Sequence, residues 1–275
     1  MMALACPTPS ALPIPPTREE TVSRWRERAS EITQDLLAEE VPVALCYNGV
    51  CHAVMMASPC DLEEFALGFS LSEAILEHPD ELYGLEVRQL DDGIEVLMTI
   101  AARRAMALKQ RKRNLAGRTG CGLCGSDSLQ NAIRPISSVC NAPSIGDASI
   151  QRALEQLHGH QPLQQLTGAM HGAAWCSLEG EILQLREDVG RHNALDKLIG
   201  ALVQQGVDRS AGFLLISSRA SYEIVHKAAA AGIGALVALS APTAMAVQLA
   251  KKAGVKVVGF ARTGSHVRYA EAEIL

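Results

Sequence analysis

Two apolar runs, 41–47 and 50–56, flank Asn48-Gly49. That dipeptide supplies the positive φ angles of a type I′ turn, so the two runs predict a β-hairpin. Ahead of it, 20–37 reads as a helix and the proline-rich residues 1–18 as a disordered tail. Ser58-Pro59 is expected to cap a following helix. Asp61, Glu63 and Glu64 would lie in its first turn, where acids meet the positive end of the helix dipole. A second hairpin is predicted to turn at Asp91-Asp92-Gly93. The stretch 103–118 reads as a helix that frays into a glycine-rich loop, 117–126, and 141–147 reads as another connection.

From about residue 166 the pattern changes. Runs 170–178 and 182–185 predict a hairpin around Glu179-Gly180. Helix 191–205, strand 213–217, helix 222–231, strand 235–239, helix 243–253 and strand 255–260 follow. Strands that alternate with helices imply parallel pairing in a layered α/β sheet. The expected organisation is a tail over 1–18, a smaller N-terminal α+β part over 19–115, a mobile cysteine loop over 116–127 and an α/β domain over 128–275.

Composition narrows the class. The 275 residues allow a large core, yet only 4% are aromatic, so that core is aliphatic and suits helices packed on a sheet. A net charge of −5 gives no global basic field to attract nucleic acid. The longest uncharged stretches, such as 228–250, are broken by Gly, Ser and Pro and do not read as membrane spans. The N-terminus shows no basic segment followed by an apolar run, so the expected location is cytoplasmic. The eight cysteines should then be mostly reduced, and most read as small buried core residues.

Only Cys121 and Cys124, in Gly120-Cys121-Gly122-Leu123-Cys124-Gly125, have close chemical spacing. A C-x-x-C pair fits three roles. A structural zinc site needs four ligands, and Cys140, His158 and His160 show no regular spacing that would supply the rest. Thioredoxin-like exchange uses a pair that opens a helix after a buried strand, and no such strand precedes this one. A covalent sulfur carrier needs thiols on a loop that can visit two partners, and the surrounding glycines provide that freedom. Arg103, Arg104, Lys109, Arg111, Lys112, Arg113 and Arg118 precede or adjoin the loop with no acid among them. Nearby cations favour thiolate over thiol. The same run also fits a solvated helix face.

A second constellation runs Glu187-Asp188-Val189-Gly190-Arg191-His192-Asn193-Ala194-Leu195-Asp196-Lys197, between a predicted strand and a helix start. Arg191 and Lys197 could hold a pyrophosphate at the helix N-terminus, with Asp188 or Asp196 accepting from a base or ribose. An ordinary capped helix with a surface ion pair fits the same residues equally well. Ser217-Ser218-Arg219-Ala220-Ser221 and Phe260-Ala261-Arg262-Thr263-Gly264-Ser265 each follow a predicted strand, where open α/β sheets bind ligands. With His171 and His192, these strand ends suggest one shared pocket.

Residues 118–125, 187–197 and 217–223, with Tyr47-Asn48-Gly49 and Phe65-Ala66-Leu67-Gly68-Phe69, closely resemble the FdhD family of formate dehydrogenase accessory sulfurtransferases. The resemblance runs in order from about residue 38 to 270. It implies a cytidine deaminase-like layered α/β/α domain with a smaller N-terminal part, and a homodimer. It implies that a cysteine desulfurase supplies persulfide sulfur for delivery to the molybdenum bis(molybdopterin guanine dinucleotide) of formate dehydrogenase. The implied carriers are Cys121, the better candidate, and Cys124. The implied cofactor-binding segment is Phe260, Ala261, Arg262, Thr263, Gly264 and Ser265. His171, Asp188, Arg191, His192, Lys197, Ser218 and Arg219 would complete the pocket, and a guanine nucleotide would act as a partial mimic. No metal ligands are expected, since the chain lacks the deaminase zinc signature. Thr263-Gly264-Ser265 stands where the family pattern has Pro-Gly-Arg, so Arg262 or Arg268 would have to replace the missing phosphate partner. The rival readings are a non-catalytic cofactor-binding chaperone and a zinc-stabilised binding module.

Overall fold

The computed structural model describes residues 14–115, 136, 138, 139 and 141–270. The cysteine loop, with Cys121 and Cys124, lies outside the described residues, as do residues 1–13 of the expected tail.

The first described element corrects the expected helix over 20–37. Strands β1 (Thr17–Arg26) and β2 (Ala29–Ala38) form an antiparallel ribbon that turns at Glu27 and Arg28, both at positive φ. Thr21, Val22, Trp25, Ile32 and Thr33 explain the outcome, because β-branched and aromatic side chains favour extended backbone. Residues 17 and 18, assigned by sequence to the tail, begin this ribbon.

Strands β3 (Val41–Tyr47) and β4 (Val50–Ala57) form the predicted hairpin, with Asn48 at φ 46° and Gly49 at φ 79°. Helix α1 (Leu62–Ser72) follows, then β5 (Leu82–Leu90) and β6 (Gly93–Ile100). The four strands lie in the order β4-β3-β6-β5, with β3 and β6 parallel. Asp61, in the left-handed region at φ 53°, stands at the N-terminus of α1 and makes no side-chain cap. Ser58 does not cap the helix, because its polar atoms are committed elsewhere, as described below. Cys46 and Cys51 are paired residues near the end of the β3–β4 hairpin and form a disulfide, which departs from the expectation of mostly reduced thiols.

Helix α2 (Ala102–Leu115) is pinned at its start by Glu81. The Glu81 carboxylate accepts from Arg103 and Arg104 and from the backbone N–H groups of Glu77 and His78. Burial works against its charge. The backbone donors and the two guanidinium groups prevail and hold its carboxyl at about 2. The first two cations of the basic run are therefore neutralised by acids from an earlier segment.

The C-terminal half opens with α3 (Asp147–Leu157), a 3-10 turn over His158–His160 and α4 (Pro162–Thr167). It continues through β7 (His171–Ser177), β8 (Ile182–Asp188), α5 (Arg191–Gln204), β9 (Gly212–Ile216), α6 (Tyr222–Ala230), β10 (Ala235–Ala238), α7 (Ala244–Ala253), β11 (Lys256–Arg262) and β12 (Ser265–Ala270). The six strands order as β12-β11-β10-β9-β7-β8. Strands β9, β10 and β11 run parallel, as the alternating pattern predicted, while β7, β8 and β12 are antiparallel to their neighbours. Every residue of β9 and β10 is buried, the usual fate of strands covered on both faces. Helices α5, α6 and α7 cover one face and α3 the other. The fold is therefore mixed α/β with helices on both sides of the larger sheet.

The two halves meet where α1 crosses α5. A Cβ added at Gly68 would lie 1.8 Å from the Asp196 carbonyl oxygen, and one added at Gly200 would lie 2.0 Å from the Glu64 carbonyl oxygen. Backbone touches backbone, so only glycine fits at either position. Lys227 reinforces the crossing from α6. Its ammonium pairs with Asp196 at 2.8 Å and Glu73 at 2.9 Å, and it lies over the Phe69 ring. Burial alone would lower the Lys227 pKa, but Asp196 and Glu73 more than offset it and raise it.

In an exposed helix Gly→Ala stabilises by about 1 kcal/mol. Here Gly200→Ala should instead destabilise by about 3 kcal/mol, because the methyl has no room. Urea unfolding reads the sign directly. The Glu81 contribution should depend on pH in a fixed direction. An acid with a depressed folded pKa contributes stability above its unfolded value of about 4.3, and that contribution fades as pH falls toward the folded value. The stability gap between wild type and Glu81→Gln should be full above about pH 5 and close as pH approaches 2. Denaturation curves across that range test it.

Candidate functional site

The parallel strands β9, β10 and β11 all end at one edge of the large sheet. A cleft of ≈ 800 Å³ opens there, between those strand ends and the α3–α4 segment. Ser217, Leu239, Ser240, Ala261, Arg262 and Thr263 come from the strand ends, and Leu154, Leu157, His158, Gln161 and Gln164 from the helical side. His171, at the start of β7, completes the wall. This is the carboxyl edge at which open α/β sheets bind ligands.

Local hydrogen bonds fix the wall. The Ser217 hydroxyl accepts from the Gly172 N–H at 2.9 Å and lies 3.5 Å from His171 Nδ1. Burial lowers the His171 pKa, and the Arg191 charge lowers it further, so the imidazole is neutral at pH 7. The Glu187 carboxylate accepts from the backbone N–H groups of Leu163 and Gln164 and so anchors the start of α4. Gly172 makes room for the buried Gln161 amide, since a Cβ there would lie 2.5 Å from Gln161 Nε2. At the far end, Gly264 takes φ 80° in the β11–β12 turn and its N–H donates to Gln151 Oε1 at 2.7 Å.

The sequence-nominated residues divide into three groups. His171, Ala261, Arg262 and Thr263 line the cleft. Phe260, Gly264 and Ser265 are exposed beside it on the same β11–β12 hairpin. Arg191, His192, Ser218 and Arg219 stand at the starts of α5 and α6 on the same sheet edge. Among the described residues the buried Arg191 Nε has no hydrogen-bond partner, and His192 Nε2 lies 2.8 Å from Glu223. Arg219 is exposed, and the Ser218 hydroxyl donates to its carbonyl.

Asp188 and Lys197 require correction. They are fully buried and pair with each other at 2.7 Å, so neither faces a ligand. Asp188 accepts from the backbone N–H groups of Ser58 and Gly190 and from the Asn193 amide. Lys197 donates to the Ser58 carbonyl, and the Ser58 hydroxyl accepts from Val189 N–H. This pair stitches the loop before α1 to the β8–α5 junction. Asp196, also considered as a base or ribose acceptor, is buried in the Lys227 pair. Arg268 is committed as well, donating to Asp147 and the Ile145 carbonyl, which leaves Arg262 as the cleft-lining arginine.

Sequence reasoning missed Gln161, Gln164 and Ser240. A signal for their side of the cleft was present. Ile150, Ala153, Leu154 and Leu157 have the i, i+3, i+4, i+7 spacing of a helix face, and Pro162 with Gly168 marks the start and end of α4. Among the described free cysteines, burial pushes the Cys60 thiol up to about 11 and the Cys176 thiol higher still. Neither is set up as a thiolate at neutral pH.

The buried role of Lys197 has a measurable consequence. Lys197→Met should cost about 3–5 kcal/mol in chemical denaturation, because it strands the Asp188 carboxylate. Arg262→Met should leave the unfolding midpoint essentially unchanged.

Residues 38–275 match the FdhD/NarQ family. A sulfur carrier protein FdhD of Cupriavidus necator is 53% identical over 262 residues, covering 95% of this chain and 91% of that one. One of Bordetella petrii is 48% identical over 241 residues, covering 88% and 87%. In fold, the chain is similar to the crystal structure of a proposed formate dehydrogenase accessory protein from Desulfotalea psychrophila. That match has a TM-score of 0.70 and 21% identity over 94% of this chain and 98% of the other.

Proposed function

This chain belongs to the FdhD/NarQ family, and from that membership we propose that it is a sulfur carrier serving formate dehydrogenase. The observation that carries the reading is the near-complete coverage of the chain by relatives named sulfur carrier proteins. The donor is a cysteine desulfurase persulfide. The Cys121 thiolate attacks its outer sulfur, a sulfur–sulfur bond forms on Cys121, and the desulfurase leaves as its own thiolate. Cys124 then attacks the inner sulfur of the Cys121 persulfide and releases the outer sulfur as sulfide. The Cys121–Cys124 disulfide left behind is reopened by a dithiol reductant.

The acceptor, as substrate, is the molybdenum bis(molybdopterin guanine dinucleotide) destined for formate dehydrogenase. The cleft suits one end of such a ligand. It falls within the usual 300–1,000 Å³ range of small-molecule sites. Arg262 offers a cation, and Ser217, Ser240, Thr263 and neutral His171 offer hydrogen-bonding groups. Arg191 and Arg219 extend this basic edge toward the helix starts. In this reading two copies of the chain form a homodimer in the cytoplasm.

Incubation with a cysteine desulfurase and cysteine, followed by peptide mass spectrometry, tests the carrier step. One added sulfur atom should map to Cys121, disappear on reduction and be absent from Cys121→Ala. If neither cysteine gains sulfur while the desulfurase is active, the chain is a cofactor-binding chaperone and not a carrier.

A further inference from the structure

The β3–β4 hairpin breaks its register at its two cysteines. Leu45 pairs with Ala53, but Cys46 pairs with Cys51, so His52 is an extra residue on β4. Side chains alternate between the two faces of a sheet. In an unbroken register Cys51 would stand opposite Tyr47, whose ring is buried in the core shared with α1. The bulge sets it opposite Cys46 instead, on the face turned away from that core. Re-aiming a side chain is a recurrent use of a bulge. The parallel pairing of β3 with β6 brings a third group to the same face. Ala44 pairs with Glu95 and Cys46 with Leu97, while Val96 and Met98 are buried in the core. The two Sγ atoms and a Glu95 carboxylate oxygen all lie within 4.8 Å of one another.

Cys46 and Cys51 are joined as a disulfide. Cys46 is 2% exposed, whereas Cys51 is open to solvent. A dithiol reductant therefore meets the Cys51 sulfur first. Attack there breaks the bond between the two cysteines and releases Cys46 as a thiolate. The second thiol of the reductant then displaces Cys51 and closes its own disulfide, so two electrons pass to the pair. Two sulfurs and a carboxylate then face one another. Arg88, opposite Glu95 on β5, is held by Glu86 through two hydrogen bonds at 2.7 and 2.8 Å.

We propose that reduced Cys46 and Cys51, with Glu95, form a binding site for a zinc-type divalent cation, and that the disulfide closes it. Two thiolates and a carboxylate suit zinc, whereas magnesium and calcium take oxygen ligands. A tetrahedral ion at about 2.3 Å from sulfur and about 2.0 Å from oxygen holds its ligands about 3.5–3.8 Å apart. Opening the disulfide and rotating the Glu95 side chain meets that spacing. The metal displaces the two thiol protons as it binds. The solvent side of Cys51 leaves the fourth position to water. This site is separate from Cys121 and Cys124 and does not depend on the carrier reading.

The test uses the full chain with Cys121→Ser and Cys124→Ser, so that the other close pair takes no metal. A phosphine reductant opens the disulfide and is removed under argon. Zn²⁺ is then titrated calorimetrically, and Co²⁺ by absorption, which reports thiolate ligands and tetrahedral geometry. One ion should bind per chain, and reoxidation with diamide should abolish binding. Adding Cys51→Ser should remove most of the cobalt–thiolate band. Glu95→Gln should keep that band but bind at least about tenfold more weakly, the loss that even an outer-shell change brings. No stoichiometric binding by the reduced chain overturns the proposal, as does equal binding after reoxidation. Binding unchanged by Cys51→Ser or by Glu95→Gln also overturns it. A disulfide that the phosphine leaves intact in the folded chain is purely structural, and the proposal then fails.

Discussion

The backbone contact between α1 and α5 is the constraint on which the rest of the structure depends. Gly68 and Gly200 let the two helices approach until each presses on the other's carbonyl groups. At that separation the polar groups between them lose water and must be satisfied by protein. The Lys227–Asp196–Glu73 cluster and the Asp188–Lys197 pair do this, with Ser72 and Ser58 completing the hydrogen bonds. Arg186 adds a two-pronged grip on Glu64 across the same seam. Buried charges of this kind add little net stability when paired, but they are costly to break. They therefore act on geometry, holding the small sheet in one orientation against the large one.

That geometry divides the charged residues of the C-terminal half by burial. Those on the seam, Asp188, Asp196, Lys197 and Lys227, are spent on structure. Those at the sheet edge, Arg191, Arg219 and Arg262, remain near the surface beside the cleft. The edge exists because three parallel strands end on the same side of the sheet, and the helices after β9 and β10 start there. The cleft exists because α3 and α4 stand over that edge from the opposite face. The N-terminal end of the basic helix α2 is fixed by Glu81.

Much of the fold was legible because its signals are local. Asn48-Gly49 and Asp91-Asp92-Gly93 mark their hairpins whatever else the chain does. The alternation from 213 to 260 reads directly as parallel α/β structure. The ribbon over Thr17–Ala38 was misread because a charged, weakly apolar segment shows little periodicity of either kind. The helix α3 was legible in its apolar spacing and was passed over. The site was legible in part. Strand ends revealed Arg262 and Thr263, since position after a strand is a sequence property. Burial is not, so Lys197 and Asp188 looked like ligand contacts when they are internal struts. Gln161, Gln164 and Ser240 carry no signature until the fold brings them to the cleft. The chemical reading came from resemblance, because a lone C-x-x-C fits several chemistries.

A reconstituted transfer puts the account at greatest risk. Purified formate dehydrogenase lacking its terminal sulfur would be mixed with a cysteine desulfurase, radiolabelled cysteine and this protein, and sulfur on the molybdenum cofactor would be counted beside formate oxidation. The account predicts that labelled sulfur and activity appear together only when this protein is present. Equal labelling and activity without it would contradict the account.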